Sequence, residues 1–159
     1  MRGVRWLVSL SMLGAALLFS GRSAWAQTCT ITVTPVSFGL YNVFSTTALT
    51  STGTVTYNCT NRTGAADTIT IWMSKGLGTT NNPRQMSGGI NSLSYYLCQD
   101  ANCNKLWGDK GYPYDSGPIT IPAGSVNLTA SLPIYGKITA GQDVPTGAYT
   151  DIILVEVDY

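Results

Sequence analysis

The sequence has 159 residues, a formal net charge of +1 at pH 7 and only 11% charged residues. A chain this close to neutral has no electrostatic reason to bind nucleic acid or an anionic membrane. The sequence contains no histidine, which removes the usual general base, the usual catalytic triad and the commonest metal ligand.

The chain begins with the pattern of a secretory signal peptide. Two arginines precede an apolar run, Trp6–Phe19, and Ala24 and Ala26 then place small residues at the two positions that a signal peptidase reads. The apolar run is too short to span a membrane comfortably. We therefore predict that residues 1–26 are a cleaved signal peptide and that residues 27–159 form one exported domain without a membrane span.

The exported part contains all four cysteines, and exported chains meet oxidising conditions, so two disulfides are expected. Three pairings of Cys29, Cys59, Cys98 and Cys103 are possible. The short spacing in CQDANC favours Cys98–Cys103, which leaves Cys29–Cys59. A zinc site of four cysteines is the alternative, but the sequence lacks the paired CxxC spacing of such sites.

Alternation of apolar and polar residues predicts strands along most of the exported domain. It is visible in TCTITVTP, GTVTYNCT, DTITIWMS, SLSYYL, GPITIP, VNLTASLPIYG and the final run, TDIILVEVDY. Gly and Pro separate these runs, and this pattern favours a sandwich of short antiparallel strands. In the final run one mostly apolar face is predicted to be buried. Its members are Asp151, Ile153, Val155, Val157 and Tyr159.

Two stretches lack this alternation. Residues 74–91 are polar and glycine-rich, and we expect them to form a surface loop or an irregular sheet edge. The second stretch, LWGDKGYPYDSG, carries Trp107, Tyr112 and Tyr114 among turn residues. These aromatic side chains, with the tyrosines of SLSYYL, are candidates for a sugar-binding platform. The simpler interpretation places the alternating tyrosine in the core and the loop aromatics over the ends of the sheets.

The acidic residues are few, and most lie beside turn residues, as in DAN, WGD, YDSG and GQDVP. Solvated loop carboxylates are a simpler interpretation than a catalytic pair. We predict that the protein is not an enzyme and that it has no catalytic residue, no bound metal and no cofactor.

Three stretches together resemble the spore coat protein U domain family, which includes subunits of archaic chaperone–usher pili. They are CTITVTPVSFGLYN, LSYYLCQDANCNKLWGD and LPIYGKITAGQDVPTGAYTDIILVEVDY, and they span essentially the whole exported domain. The resemblance implies an immunoglobulin-like antiparallel β-sandwich that lacks its last strand. In such subunits a periplasmic chaperone supplies the missing strand first, and the next subunit then replaces it.

The resemblance also implies the partners and the site. The partners would be a periplasmic chaperone, an outer-membrane usher and a neighbouring subunit, and the protein would pass through the periplasm to the cell surface. Gly136 would serve a turn, and Trp107, Tyr112 and Tyr114 would lie in loops available for surface contact. The walls of the strand-accepting groove would be formed by Ile31, Val33, Ile153, Val155 and Val157.

The first cysteine lies close to the predicted cleavage site. Cleavage after Ala26 would leave only Gln27 and Thr28 before Cys29, whereas a donor strand needs about five residues. This predicts a subunit that accepts a strand without donating one, such as a fibre tip. The alternatives are a secreted coat or matrix protein of the same fold and a carbohydrate-binding module that uses the loop aromatics.

Overall fold

The computed structural model describes residues 27–110 and 115–159. The predicted signal peptide, Tyr112 and Tyr114 therefore lie outside the described residues. The described chain contains eight strands and no helix, and the predicted all-β antiparallel fold is confirmed. The strands are β1 (Thr28–Thr34), β2 (Leu49–Thr60), β3 (Asp67–Met73), β4 (Arg84–Gly88), β5 (Asn91–Cys98), β6 (Ile119–Ile121), β7 (Leu128–Ile138) and β8 (Val155–Asp158).

The strands form two antiparallel sheets. The first has five strands in the order β1-β2-β7-β5-β4, and the second has three in the order β6-β3-β8. The last strand of the chain, β8, is therefore an edge strand that pairs only with β3. The first strand, β1, is likewise an edge strand and pairs only with β2.

The core lies between the inner faces of the two sheets. The alternation seen in the sequence determines which side chains point inward. Full burial of one large apolar side chain contributes about 1.5–3 kcal/mol. The buried apolar side chains of the first sheet include Val55, Tyr57, Leu93, Tyr95, Leu97, Ile134 and Ile138, and those of the second sheet include Ile69, Ile71, Met73 and Ile121.

Both predicted disulfides are present. Cys29 and Cys59 are directly opposite each other in the β1–β2 ladder, and their bond ties the edge strand to its neighbour. Cys98 and Cys103 close a short loop after β5. With sequence separations of 30 and 5 residues, the chain-entropy model gives about 3–4 kcal/mol for the first bond and about 2 kcal/mol for the second.

Residues 35–43 cross the inner face of the first sheet without forming a strand. Gly53 and Gly136 make room for this crossing, because a Cβ atom at Gly136 would lie 2.5 Å from Val36 Cγ1 and 2.6 Å from Phe38 Cζ. The prediction that Gly136 serves a turn was wrong. Gly136 lies inside β7, and what it permits is the close approach of another chain segment.

The final run is regular only at its end. The strand covers Val155–Asp158, whereas Thr150 forms an isolated bridge with Ser87 of β4. Ile153, Val155 and Val157 pack against the core, as predicted. Tyr159 is 66% exposed, so the prediction that its side chain is buried was wrong. It lies beyond the last paired residue, where no neighbouring strand covers it.

Residues 74–91 contain both a loop and a sheet edge, since β4 begins at Arg84. The Arg84 side chain is fully buried, and backbone carbonyls accept its hydrogen bonds. Nη1 donates to Trp107 O at 2.9 Å, and Nη2 donates to Ser74 O at 3.0 Å and to Met73 O at 3.2 Å. A buried guanidinium is tolerated when its donors are satisfied in this way, and here it joins three segments of chain.

Trp107 belongs to the core. Its side chain is 1% exposed, and Nε1 donates a hydrogen bond to Pro133 O at 3.2 Å. The prediction that Trp107 is available for surface contact was therefore wrong. The backbone folds back at this point, since Trp107 N donates a hydrogen bond to Leu97 O, and the ring therefore enters the core. The turn-rich sequence around Trp107 gives no sign of this fold-back.

Candidate functional site

A large apolar groove opens between the two sheets. Its volume is about 840 Å³. The floor is formed by inward-facing side chains of both sheets, and the sides are formed by residues 35–43 and residues 144–151. Among the apolar lining residues are Val36, Phe38, Met86, Leu93, Leu97 and Val144.

The structure brings three of the five predicted groove residues to the groove. Val33, Ile153 and Val155 line it, and Ile31 and Val157 do not. Strands β1 and β8 contact each other, and Ile31 and Val157 both pack against the core. The two edge strands therefore lie close together, one from each sheet.

Among the described residues the outer edge of β8 pairs with no strand, and the direction of its backbone groups follows from its ladder with β3. Ser74 N donates to Leu154 O at 2.9 Å, and Leu154 N donates to Ser74 Oγ at 2.9 Å, so the backbone of Leu154 points toward β3. Backbone direction alternates along a strand. The N–H and C=O groups of Val155 and Val157 therefore point away from β3.

Asp151 forms a polar anchor at the groove. Its Oδ1 accepts hydrogen bonds from Leu77 N at 2.7 Å and Ile152 N at 2.8 Å, and its Oδ2 accepts one from the Tyr95 hydroxyl at 2.6 Å. The carboxylate fits because Gly76, at φ +73°, has no Cβ, which would collide with it. Asp151 thus accepts hydrogen bonds near the start of the final run and fixes this part of the chain against the loop after β3.

Tyr95 is the side chain that donates a hydrogen bond to this Asp151 anchor. Burial raises the pKa of its hydroxyl well above the usual range, and the hydrogen bond to Asp151 raises that pKa further. The ring of Phe38 packs edge-on against the Tyr95 ring, with the ring centroids 6.0 Å apart. Tyr95 therefore connects the polar anchor to the apolar lining.

Sequence reasoning missed much of the groove. Residues 35–43 and 144–149 line it but belong to no strand, so no alternation marks their inward side chains. The only available signal was the position of Gly53 and Gly136 within alternating runs, since a glycine inside a strand indicates that another backbone approaches closely.

The described residues contain neither a metal-binding cluster nor a membrane-spanning helix. In residues 27–110 and 115–159, no group of three or more His, Cys, Asp and Glu side chains is placed to hold a metal ion. Over the same residues, no helix has the length and apolar character needed to cross a membrane.

A comparison with models of known protein families shows which family the chain belongs to. Residues 15–156 match the family model of the Spore Coat Protein U domain, which is most of the chain. The chain belongs to this family. No curated protein sequence matches the chain.

A solved structure that shares the fold of this spore coat protein U domain is the crystal structure of the CsuC–CsuE chaperone–tip adhesion subunit pre-assembly complex from the archaic chaperone–usher Csu pili of Acinetobacter baumannii. A chain of that complex aligns with a TM-score of 0.55 and 19% identity, over 84% of the present chain and 40% of its own length. The present chain thus spans less than half of that protein. The Hda pilus minor tip subunit HdaB of E. coli aligns with a TM-score of 0.40 and 12% identity, over 81% of the present chain and 80% of its own.

Proposed function

We propose that this spore coat protein U domain is a structural subunit of a pilus-like surface assembly and that it accepts a strand from a partner. The observation that carries the proposal is the apolar groove of about 840 Å³ beside the free edge of β8. An open apolar surface of this kind is unfavourable in water and is typical of an interaction site. The fold shared with a chaperone-bound pilus subunit complex supports the same conclusion.

The groove defines the kind of strand that fits. Main-chain hydrogen bonds would form with the outward backbone groups of Val155 and Val157, and alternate side chains of the donor would enter the groove. Since the lining is largely apolar, the inward positions of the donor carry large apolar side chains. The partners are a periplasmic chaperone during export and a neighbouring subunit after assembly at the outer-membrane usher.

A fused donor strand tests this proposal. β8 ends at Asp158, so a loop of about four residues added after Tyr159, followed by a strand of about seven alternating residues, returns along the free edge. The control carries the same residues shifted by one position, which turns the apolar side chains away from the groove. We expect the aligned fusion to be a monomer with a higher urea midpoint, and the shifted fusion to self-associate like the unfused protein.

The outcome that would refute strand acceptance is equally direct. If the unfused exported chain is a stable monomer and neither fusion changes its urea midpoint, the groove is not a strand-binding site. A urea midpoint raised equally by the aligned and the shifted strand would also refute strand acceptance, since the groove would then not distinguish the two faces of the donor strand.

The N-terminal side of the domain supports a position at the end of a fibre. The Cys29–Cys59 bond holds β1 in the sheet, so β1 is not free to enter a neighbouring subunit. With cleavage after Ala26, the subunit would occupy a fibre end, most simply the tip. N-terminal sequencing of the exported protein checks the cleavage site. Immunogold label along whole fibres, with the N-terminus at Gln27, would exclude the end position.

A further inference from the structure

A second pocket lies on the outer face of the five-stranded sheet. Tyr96 and Lys137 are cross-strand neighbours in the β5–β7 pair and point outward, because Tyr95 and Leu97 on either side of Tyr96 point into the core. The pocket has a volume of about 400 Å³, within the usual range of about 300–1,000 Å³ for small-molecule sites. Besides these two side chains, its lining includes Asn82, Asn102, Asn104 and Thr139.

The loop that carries two of the asparagines is held in one conformation. The Cys98–Cys103 bond closes the loop. Within it, Asp100 Oδ2 accepts a hydrogen bond from Lys105 N at 2.7 Å, and Oδ1 accepts bonds from Asn102 N at 3.0 Å and Asn104 N at 3.2 Å. These hydrogen bonds lower the pKa of the Asp100 carboxyl, and the bond from Lys105 N has the largest effect. A loop fixed in this way presents its side chains at little further entropic cost on binding.

The backbone of the same loop adopts an uncommon conformation. Cys103 lies at φ 61°, in the left-handed region that residues other than glycine rarely occupy. Such positions persist when the surroundings fix them, and they cluster at ligand sites. The loop that borders the pocket therefore has a defined shape.

Most polar side chains of the pocket make no hydrogen bond within the described residues; Thr139 is an exception, since its Oγ1 accepts a hydrogen bond from Gln142 Nε2 at 3.3 Å. Over the described residues, five of them make no side-chain hydrogen bond, and the lysine among them makes no ion pair. They are Asn82, Tyr96, Asn102, Asn104 and Lys137. Asparagine amides offer donors and acceptors together, which suits vicinal hydroxyl groups, and a tyrosine offers a ring face for the C–H groups of a sugar. Lys137 supplies a positive charge, and the described residues that line the pocket include no acidic side chain.

We propose that this outer pocket binds an acidic saccharide. Lys137 pairs with the carboxylate of the sugar, the three asparagines bind its hydroxyl groups, and Tyr96 packs against its ring. The site is independent of the proposed strand-accepting groove, because the two lie on opposite faces of the five-stranded sheet. It would allow the assembled subunit to hold a surface or matrix polysaccharide while the groove is filled.

The test uses the full exported chain in whichever complex it is purified, titrated calorimetrically with digalacturonate and with the matched neutral digalactoside. We expect digalacturonate to bind about fivefold more tightly, the size of one exposed ion pair, and this preference to shrink as salt is raised. Lys137→Gln should abolish the preference, and Asn102→Ala should weaken binding of both sugars. Lys75→Gln, which removes an exposed charge that does not line the pocket, is the matched control and should leave both affinities unchanged.

Two results would overturn the proposal. One is the absence of binding by either sugar at millimolar concentration. The other is equal affinity for the two sugars with no effect of Lys137→Gln. Because neither measurement depends on strand addition, both outcomes remain distinguishable from a failure of the groove.

Discussion

The Tyr95 hydroxyl donates a 2.6 Å hydrogen bond to Asp151 Oδ2, and this bond joins β5 of one sheet to the segment that leads into β8 of the other. The second carboxylate oxygen of Asp151 binds Leu77 N in the loop after β3. One carboxylate therefore fixes the groove wall to two neighbouring segments. The groove thus keeps a defined shape at this point.

Replacing Tyr95 by phenylalanine removes this bond while keeping the ring. We expect Tyr95→Phe to lower the free energy of unfolding by about 1.5–3 kcal/mol, as for other hydrogen bonds to a charged group. The control is Tyr96→Phe, since the adjacent hydroxyl bonds no described residue and its loss should cost less than about 0.5 kcal/mol. Urea denaturation measures both values. Equal losses in the two variants would show that the bond to Asp151 does not stabilise the fold.

Tyr95 also predicts how stability changes in alkali. Burial, and then the bond to Asp151, raise the pKa of Tyr95 above its ordinary value of 10.0. Above pH 10, the unfolded chain loses this proton while the folded chain keeps it, so the stabilisation present at neutral pH is lost as the pH rises. The slope from one such group is about 1.4 kcal/mol per pH unit. Urea unfolding followed from about pH 9 to pH 11 should show a contribution to the slope that grows toward this value as the pH passes 10, and Tyr95→Phe should lack that contribution.

Much of the sheet structure could be predicted from the sequence, because strand alternation is a local signal. SLSYYL predicts the inward Leu93, Tyr95 and Leu97 of β5, and all three are buried. The final run was harder to interpret. The apolar run begins at Ile152, but regular pairing begins only at Val155, because the preceding residues are held by hydrogen bonds that the Asp151 carboxylate and the Ser74 hydroxyl accept.

The rest of the site depends on contacts between distant segments. A polar stretch of sequence suggests that Arg84 is a surface cation, yet its side chain is buried and carbonyl groups of two other segments accept its hydrogen bonds. The sequence predicts that Trp107 is a loop aromatic, yet its ring is buried in the core and donates a hydrogen bond to Pro133 O. No pattern of neighbouring residues reports such contacts, which arise only when the sheets pack.

The crossing of residues 35–43 over β7 predicts a strong effect of adding one methyl group at Gly136. Gly136→Ala would place its Cβ against Val36 and Phe38, and overpacking of this kind costs about 1–3 kcal/mol. Gly64→Ala is the control, because a Cβ there would meet no atom within 4 Å. Thermal or urea unfolding should separate the two variants. Equal stabilities would mean that the crossing segment moves aside without cost.

The direction of the backbone groups in β8 predicts different results for proline at two adjacent positions. Val155 N points to the free edge, so Val155→Pro removes a donor that only an added strand would use. Glu156 N points toward Trp72 of β3, so Glu156→Pro removes a bond within the domain and leaves a carbonyl of β3 unpaired. Proline is tolerated in an edge strand only when the lost N–H faces outward.

We therefore expect Val155→Pro to leave the urea midpoint of the unfused chain nearly unchanged. It should reduce the gain from the aligned donor strand by about 0.5–1.5 kcal/mol, the contribution of one hydrogen bond. Glu156→Pro should lower the stability of the unfused and fused proteins alike, by about 1–3 kcal/mol for the unpaired carbonyl. If Val155→Pro leaves the gain from the fused strand intact, the strand does not bond to the edge of β8 at this residue. The same stability loss at both positions in the unfused chain would contradict the assigned backbone directions.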